Sequence, residues 1–151
     1  MISRTLATAP SAAARPAVCF NLPEYLYVRV TNSDTDAEAA QIIFDPTKVT
    51  YAQLLEFFYK THDPTTLNQQ GPDTGPQYRS AIYFHNPEQE KIAREVTEKA
   101  NKQWWKGGIV TEIAPAGKWW TAEEYHQLYL HNNPSGYECP SHFMRPFPPL
   151  E

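Results

Sequence analysis

The chain has 151 residues, enough for one domain with a sizeable core, and its hydrophobic content of 41% is ordinary for a globular protein. A net charge of -4 argues against a nucleic-acid partner, because no basic stripe is present to displace counterions from phosphates. No apolar run approaches the roughly 18 residues that a membrane-spanning helix needs. We therefore expect a soluble chain with neither a nucleic-acid nor a membrane partner.

The first 23 residues differ in composition from the rest. They contain Arg4 and Arg15, several Ser, Thr and Ala residues, and no acid before Glu24. This composition is similar to that of a mitochondrial transit peptide, and an unstructured Ala/Pro-rich segment is the alternative. We expect residues 1–23 to be transit-like or disordered, a domain over residues 24–151, and a cytoplasmic or mitochondrial location.

Two strands and a helix are predicted next. Residues 25–31 are rich in aromatic and β-branched side chains, which is typical of a strand, and a turn cluster at 32–36 leads to a second short strand at 39–44. Thr50 can then cap a helix that runs to about Tyr59. Its apolar face is predicted to bury Leu54, Leu55 and Phe58.

The segment from His62 to Arg79 is polar and has no hydrophobic period. Connections of this length in a compact domain are usually functional or disordered. Regular elements are predicted on both sides of it, and a shaped loop between packed elements is where binding and catalytic groups tend to lie. We therefore expect this loop to carry function.

A strand at 80–84 and a long helix follow the loop. Asn86 supplies an N-cap and Pro87 the first helical position, and the helix is predicted to run to about Lys102. Its apolar positions recur at four-residue spacing, which predicts a buried face formed by Ile92, Val96 and Ala100.

The last third is predicted to be less regular. A strand is expected at 109–113, and the capping box that begins at Thr121 predicts a short helix to about Leu130. The Pro-rich tail from Asn132 is expected to be extended over the surface. Because strands and helices interleave, the predicted class is α+β, with a mixed sheet and one packed layer of helices.

Cys19 and Cys139 are too few for a disulfide framework. They could be inert, could pair, or could carry redox chemistry, and composition alone favours inert thiols. The pattern from Cys139 to His142, together with His126 and His131, contains zinc-ligand residue types. It lacks the regularly spaced second pair of a structural zinc site, so we expect no metal.

The run HDPTTLNQQGPDTGPQYRSAIYF at 62–84 resembles the signature of the peptide-methionine (S)-S-oxide reductases, the A-type methionine sulfoxide reductases. The runs FDPTKVTY at 44–51, AEEYHQLYL at 122–130 and NPSGYEC at 133–139 are similar to that family too. The resemblance covers about residues 37–145. It implies the family's fold, reduction of methionine S-sulfoxide by thiol chemistry, thioredoxin as reductant and no metal or organic cofactor. We expect a monomer.

The resemblance also implies roles for individual residues. In the family a cysteine thiolate attacks the sulfoxide sulfur and becomes a sulfenic acid, while a glutamic acid and two tyrosines surround the departing oxygen. Glu38 is the implied acid, and Tyr78 and Tyr27 are the implied tyrosines. Judged on residue chemistry alone, Glu38 would be a solvated surface acid and Tyr78 a tyrosine at the edge of the core.

The remaining roles concern the pocket and the thiols. Asp73 resembles a residue that shapes the family's pocket, and Cys139 resembles a resolving cysteine on a mobile C-terminal tail. The family's Gly-Cys-Phe-Trp-Gly segment does not occur in this sequence, where Cys19 and Phe20 match two of its residues. Under the hypothesis of an active reductase, Cys19 or a cysteine upstream is the nucleophile that the resemblance implies. The alternative is a truncated, inactive relative or an incomplete gene model that acts at most as a binding module.

Overall fold

A computed structural model describes residues 26–29, as backbone only, and residues 37–151. Strand β1, Leu26–Arg29, pairs antiparallel with strand β2, Ala39–Ile42, and Tyr27 lies opposite Gln41. Both predicted strands are confirmed. The expected transit-like segment, Cys19 and the predicted turn at 32–36 lie outside the described residues.

Helix α1, Tyr51–Thr61, begins where the sequence predicts. The Thr50 hydroxyl accepts from the Gln53 backbone N–H, and the Gln53 side chain accepts from the Thr50 backbone N–H, which completes a capping box. Leu55 is buried as predicted. Leu54 and Phe58 are only half-buried, because the helix turns Tyr59 fully into the core instead.

Helix α2, Pro87–Gln103, is also confirmed, with Asn86 as its N-cap. It packs against α1, and its small residues Ala93 and Ala100 are fully buried in the core. Ile92, a predicted core residue, is half-buried at the margin of this contact. The core cluster consists of Leu55, Tyr59, Ile82, Ala93, Val96, Ala100 and Trp104.

The predicted functional loop contains regular structure that its sequence did not reveal. Strands β3, Gln69–Gln70, and β4, Asp73–Thr74, form a minimal antiparallel hairpin. Gly71 begins the two-residue turn with a φ of 56°, in the left-handed region that glycine occupies without a Cβ penalty. A single 3-10 turn, Pro76–Tyr78, then leads into the predicted strand, β5, Ala81–Phe84.

Strand β6, Glu112–Pro115, pairs parallel with β5 and lies further along the chain than the predicted range 109–113. The displacement has a local cause. The backbone N–H of Ile109 donates to Asn101 Oδ1, and that of Val110 donates to Pro64 O, both at 2.9 Å. These two N–H groups therefore bond to α2 and to the loop, and they do not pair with the sheet.

The predicted helix from Thr121 to Leu130 is wrong. The segment forms a 3-10 turn, Glu124–His126, and then a single helical turn, α3, Tyr129–Asn132, separated by Leu128 with a φ of 52°. Most of its apolar side chains are exposed, so no packed face stabilises a longer helix. From residue 133 onwards the tail has no regular secondary structure, and Phe147 stacks on Trp104 at 5.1 Å.

The class is α+β, as predicted, with antiparallel and parallel strand pairs and helices α1 and α2 packed together. In the part of the chain that the structure describes, no helix is long and apolar enough to cross a membrane.

Candidate active site

A cleft of about 840 Å³ opens beside α1 and β5 and reaches the predicted functional loop. Aromatic and aliphatic side chains supply most of its wall, and a few ionisable groups interrupt them. This composition suits a small, partly apolar ligand with one polar group. The lining side chains include Glu38, Phe44, Tyr51, Leu54, Phe58, His62, Gln70, Tyr78, Ile82, Trp119 and His142.

Glu38 lies just before β2 and lines the cleft. Its backbone N–H donates to Gln77 O at 2.8 Å, which fixes it against the turn that carries Tyr78. Although the residue is exposed overall, desolvation of its carboxyl raises its pKa; His126 opposes that shift and the negative charge of Asp73 adds to it. Glu38 is thereby suited to hold a proton and deliver it.

Tyr78, half-buried, is positioned by its neighbour Arg79. The guanidinium of Arg79 donates to Pro76 O at 2.8 Å, to Glu112 Oε2 on β6 at 2.8 Å, and to Tyr83 Oη on β5 at 2.9 Å. One side chain thus ties the 3-10 turn to both strands. Tyr78 and Glu38, which the sequence assigned to one site, line the same cleft.

His62 anchors the wall through a buried hydrogen-bond network. Its Nδ1 lies 2.6 Å from Phe58 O, so this nitrogen carries the proton, and Nε2 accepts from Ser80 Oγ at 2.8 Å. Ser80 Oγ in turn lies 2.8 Å from Thr111 Oγ1. Burial lowers the His62 pKa to about 4, so the ring is neutral near neutral pH. The network joins the end of α1 to β5.

The C-terminal tail reaches the same region. Tyr137 Oη donates to both carboxylate oxygens of Asp73, at 2.9 and 3.1 Å. Desolvation and this hydrogen bond raise the Tyr137 pKa to about 12, so the hydroxyl stays protonated. Cys139 is buried, and its thiol donates to Gln70 O at 3.4 Å. Because Gln70 lines the cleft, Cys139 lies beside the candidate site.

Two predicted site residues are not placed. The backbone of Tyr27 lies in β1 opposite Gln41, while its side chain is outside the description, and Cys19 lies outside the described residues. Among the residues that are described, no group of three or more His, Cys, Asp or Glu side chains is arranged to hold a metal ion.

The sequence model of a family described as "Peptide methionine sulfoxide reductase" matches residues 20–145. The chain belongs to that family. A "Probable peptide methionine sulfoxide reductase" of Schizosaccharomyces pombe is 55% identical over 116 residues, which are 76% of this chain and 68% of that relative.

Solved structures of similar chains agree with the fold. Reduced Mxr1 from Saccharomyces cerevisiae is 44% identical, with a TM-score of 0.70 over 72% of this chain and 60% of that one. Mxr1 in complex with Trx2 matches at 26% identity and a TM-score of 0.60, over 85% of this chain and 76% of that one. The chain therefore spans about three fifths of the reduced Mxr1 chain.

Three residues of this reductase-family site escaped the sequence reasoning. Gln70 accepts hydrogen bonds from Cys139 and Ser141 of the tail. Tyr137 donates a hydrogen bond to Asp73, and His126 electrostatically opposes the rise that desolvation causes in the Glu38 pKa. In the sequence, His126 stands out only as a zinc-ligand residue type, and Tyr137 only as part of the run NPSGYEC. A buried glutamine between a turn and a glycine carries no local signal, so Gln70 was not predictable.

Proposed function

We propose that the chain reduces methionine S-sulfoxide, free or in proteins, by thiol chemistry, with Glu38 as the proton donor. The desolvated carboxyl of Glu38 beside Tyr78 in a largely apolar cleft is the observation that carries the proposal. A sulfoxide presents one polar oxygen and apolar substituents, which the lining of this cleft suits.

The first step joins the nucleophile to the sulfoxide sulfur. A cysteine thiolate, which we assign to Cys19, forms a bond to that sulfur. The sulfoxide oxygen takes a proton from Glu38 and transfers from the methionine sulfur to the cysteine sulfur. As the new S–O bond forms, the S–O bond to methionine and the transient S–S bond break, which leaves a cysteine sulfenic acid, methionine as the thioether and Glu38 as the carboxylate. Tyr78 and Tyr27 hold the oxygen during the transfer, and Asp73 shapes the neighbouring wall.

The second step regenerates the thiols. Cys139 attacks the sulfenic acid sulfur, which forms a disulfide and releases water. A thioredoxin dithiol then reduces that disulfide by exchange. The solved complex of the relative Mxr1 with Trx2 supports thioredoxin as the reductant. The chain needs no metal or organic cofactor for these steps.

A second candidate is a binding module that keeps the cleft but does not turn over. The observation that favours it is the sequence around Cys19, which keeps only Cys-Phe of the family's Gly-Cys-Phe-Trp-Gly segment. Such a module would bind methionine sulfoxide without consuming it.

The test is consumption of the separate S and R epimers of methionine sulfoxide by the full chain with dithiothreitol. The expected result is loss of the S epimer alone, abolished by Cys19→Ser. Binding of the S epimer in calorimetry without consumption would support the binding module and overturn the enzymatic proposal.

A further inference from the structure

The tail segment, residues 137–141, lies directly against the β3–β4 hairpin. Each of the two strands contributes one residue to the contact, Gln70 from β3 and Asp73 from β4, and these two residues pair across the hairpin. Three features of the hairpin fit the tail segment.

Gln70 is the first feature. Its side-chain amide pairs with the backbone of Asp63 in both directions, receiving the N–H at Oε1 and donating from Nε2 to the carbonyl, each at 3.0 Å. These bonds hold the buried amide rigidly. The same Oε1 accepts from Ser141 Oγ at 2.6 Å, while the Gln70 carbonyl accepts from the Cys139 thiol. Gln70 therefore presents two acceptors in fixed positions to the tail segment.

Gly71 is the second feature. A Cβ at this position would lie 3.1 Å from Ser141 Cβ, 3.2 Å from Ser141 Oγ and 3.3 Å from Cys139 Sγ. Those distances are tighter than ordinary van der Waals contact. The bare glycine backbone thus makes room for the two side chains that Gln70 binds.

Asp73 is the third feature. Its carboxylate accepts both hydrogen bonds from Tyr137 Oη, as described above, although Tyr137 is 58% exposed. A hydrogen bond to a charged acceptor is stronger than one between neutral groups, and here it fastens a side chain that apolar packing does not hold. Tyr137 and Ser141 thus fasten the tail segment on either side of Cys139.

Cys139 is the residue that this arrangement controls. It is only 9% exposed, and its Sγ lies 3.4 Å from Gln70 O and 3.3 Å from Ser141 Oγ. A docked Cys139 is therefore shielded from the sulfur that it would attack.

We propose that the β3–β4 hairpin is a dock for the tail segment, in which Gln70 and Asp73 hold Cys139 protected until the tail segment is released. The role of that release in resolution rests on the proposed function, whereas the dock itself does not. After release, the Cys139 thiol and the sulfenic acid combine to a disulfide and water. Gln70 acts as a positioning residue.

The experiment measures the rate at which Cys139 reacts with 5,5′-dithiobis(2-nitrobenzoate) in the full chain carrying Cys19→Ser, so that one thiol reports. Tyr137→Phe removes the hydroxyl that binds Asp73, and Ser141→Ala removes the hydroxyl that binds Gln70 and lies 3.3 Å from Cys139 Sγ. Each substitution is expected to raise the labelling rate about tenfold. The loss of one hydrogen bond to a charged or buried acceptor weakens the docked state by about that factor in its equilibrium constant.

Tyr125→Phe is the matched control, because Tyr125 is an exposed tyrosine of the same C-terminal region without a contact to Asp73. Its rate is expected to equal that of the parent chain. Rates for both Tyr137→Phe and Ser141→Ala within about twofold of the parent would overturn the dock, because the hydrogen bonds then contribute nothing to protection.

A second readout separates docking from general stability. If the tail segment is released locally, the labelling rate stays constant at low urea, whereas exposure by global unfolding makes it rise with urea from the start. A rise from the start in the parent chain would contradict the dock. Neither readout uses sulfoxide, so an inactive chain could still confirm the dock, and an active chain could still refute it.

Discussion

At the scale of single residues, Glu38 unites the two properties that a proton donor needs. Its carboxyl reaches the cleft, yet desolvation favours the protonated form. The same acid on an open surface would be ionised near neutral pH and would have no proton to give. The short hydrogen bond from its backbone to Gln77 keeps it beside Tyr78.

The first prediction concerns a variant that lacks this proton. Glu38→Gln is expected to lower kcat/KM for methionine S-sulfoxide by about 10²–10⁴-fold, the range that a positioned general acid contributes. The parent rate should also fall as pH rises through the elevated pKa of Glu38, because the acid form is lost, and this limb should be absent from the variant. Steady-state rates across pH measure both effects.

Glu95→Gln serves as the control for the same chemical change, because Glu95 lies exposed on α2 and does not line the cleft. If the Glu38→Gln variant kept the parental kcat/KM and the alkaline limb of its pH profile, Glu38 would not be the proton donor.

The second prediction concerns His62. Its pKa is lowered from 6.5 to about 4 in the folded chain, so between these values the unfolded chain binds more protons and stability falls as pH falls. The contribution of neutral His62 to the free energy of unfolding is fully present above pH 6.5 and is lost by about pH 4. The total loss is about 3 kcal/mol. Urea unfolding at a series of pH values measures it.

His62→Gln keeps an amide that can bond to Phe58 O and Ser80 Oγ but cannot titrate. Its free energy of unfolding is expected to be lower than the parent's near neutral pH and to depend less on pH between the two pKa values. Parallel pH profiles for the parent and variant would show that His62 is not buried in its neutral form.

At the scale of elements, helix starts were predictable because capping residues act locally. Thr50 and Asn86 each accept a backbone N–H of the first helical turn, and the sequence places both correctly. The helix expected from Thr121 has the same kind of local signal and still does not form, because its apolar side chains find no surface to bury against. Local signals open a helix, whereas packing decides whether it continues.

The β3–β4 hairpin, in contrast, could not be predicted from the sequence. Two-residue strands are too short to show an alternating pattern, so only the Gly-Pro turn between them is visible in the sequence. Motifs in the sequence point to Glu38, Tyr78, Asp73 and Cys139 as candidate site residues. The contacts that Gln70 makes with the tail join positions about seventy residues apart and depend on the finished fold.

The third prediction tests the packing of α1 against α2. Ala93 is fully buried in the core cluster that α2 shares with α1 and β5, so Ala93→Leu overfills that core and is expected to destabilise the chain by about 1–3 kcal/mol. Lys99→Leu places the same side chain on the exposed face of α2 and should change stability by less than about 0.5 kcal/mol. The two urea midpoints, compared with the parent, measure the difference.

Equal midpoints for Ala93→Leu and Lys99→Leu would mean that the two helices are not in close contact through Ala93. A larger loss for Lys99→Leu would contradict the assignment of the helix faces altogether.

At the scale of the whole molecule, the cleft and the tail correspond to the two steps of the proposed reaction. In that proposal the cleft supplies the acid for the sulfoxide oxygen, and the tail supplies the second thiol, which lies at the β3–β4 hairpin next to the cleft. The α+β class was predictable from the interleaving of elements. The displaced β6 was not, because hydrogen bonds to α2 and to the loop compete for its expected first residues.

The most direct test of the proposed reaction is a single turnover without reductant. The reduced chain is mixed with methionine S-sulfoxide, and the methionine released per chain is quantified. The mass of the intact protein is then measured by mass spectrometry, and the protein is digested without reduction. The expected result is one methionine per chain, a protein mass lower by two hydrogen atoms, and a peptide pair joined by a Cys19–Cys139 disulfide. An unchanged mass with no methionine released would contradict the assignment of this chain as a working methionine sulfoxide reductase.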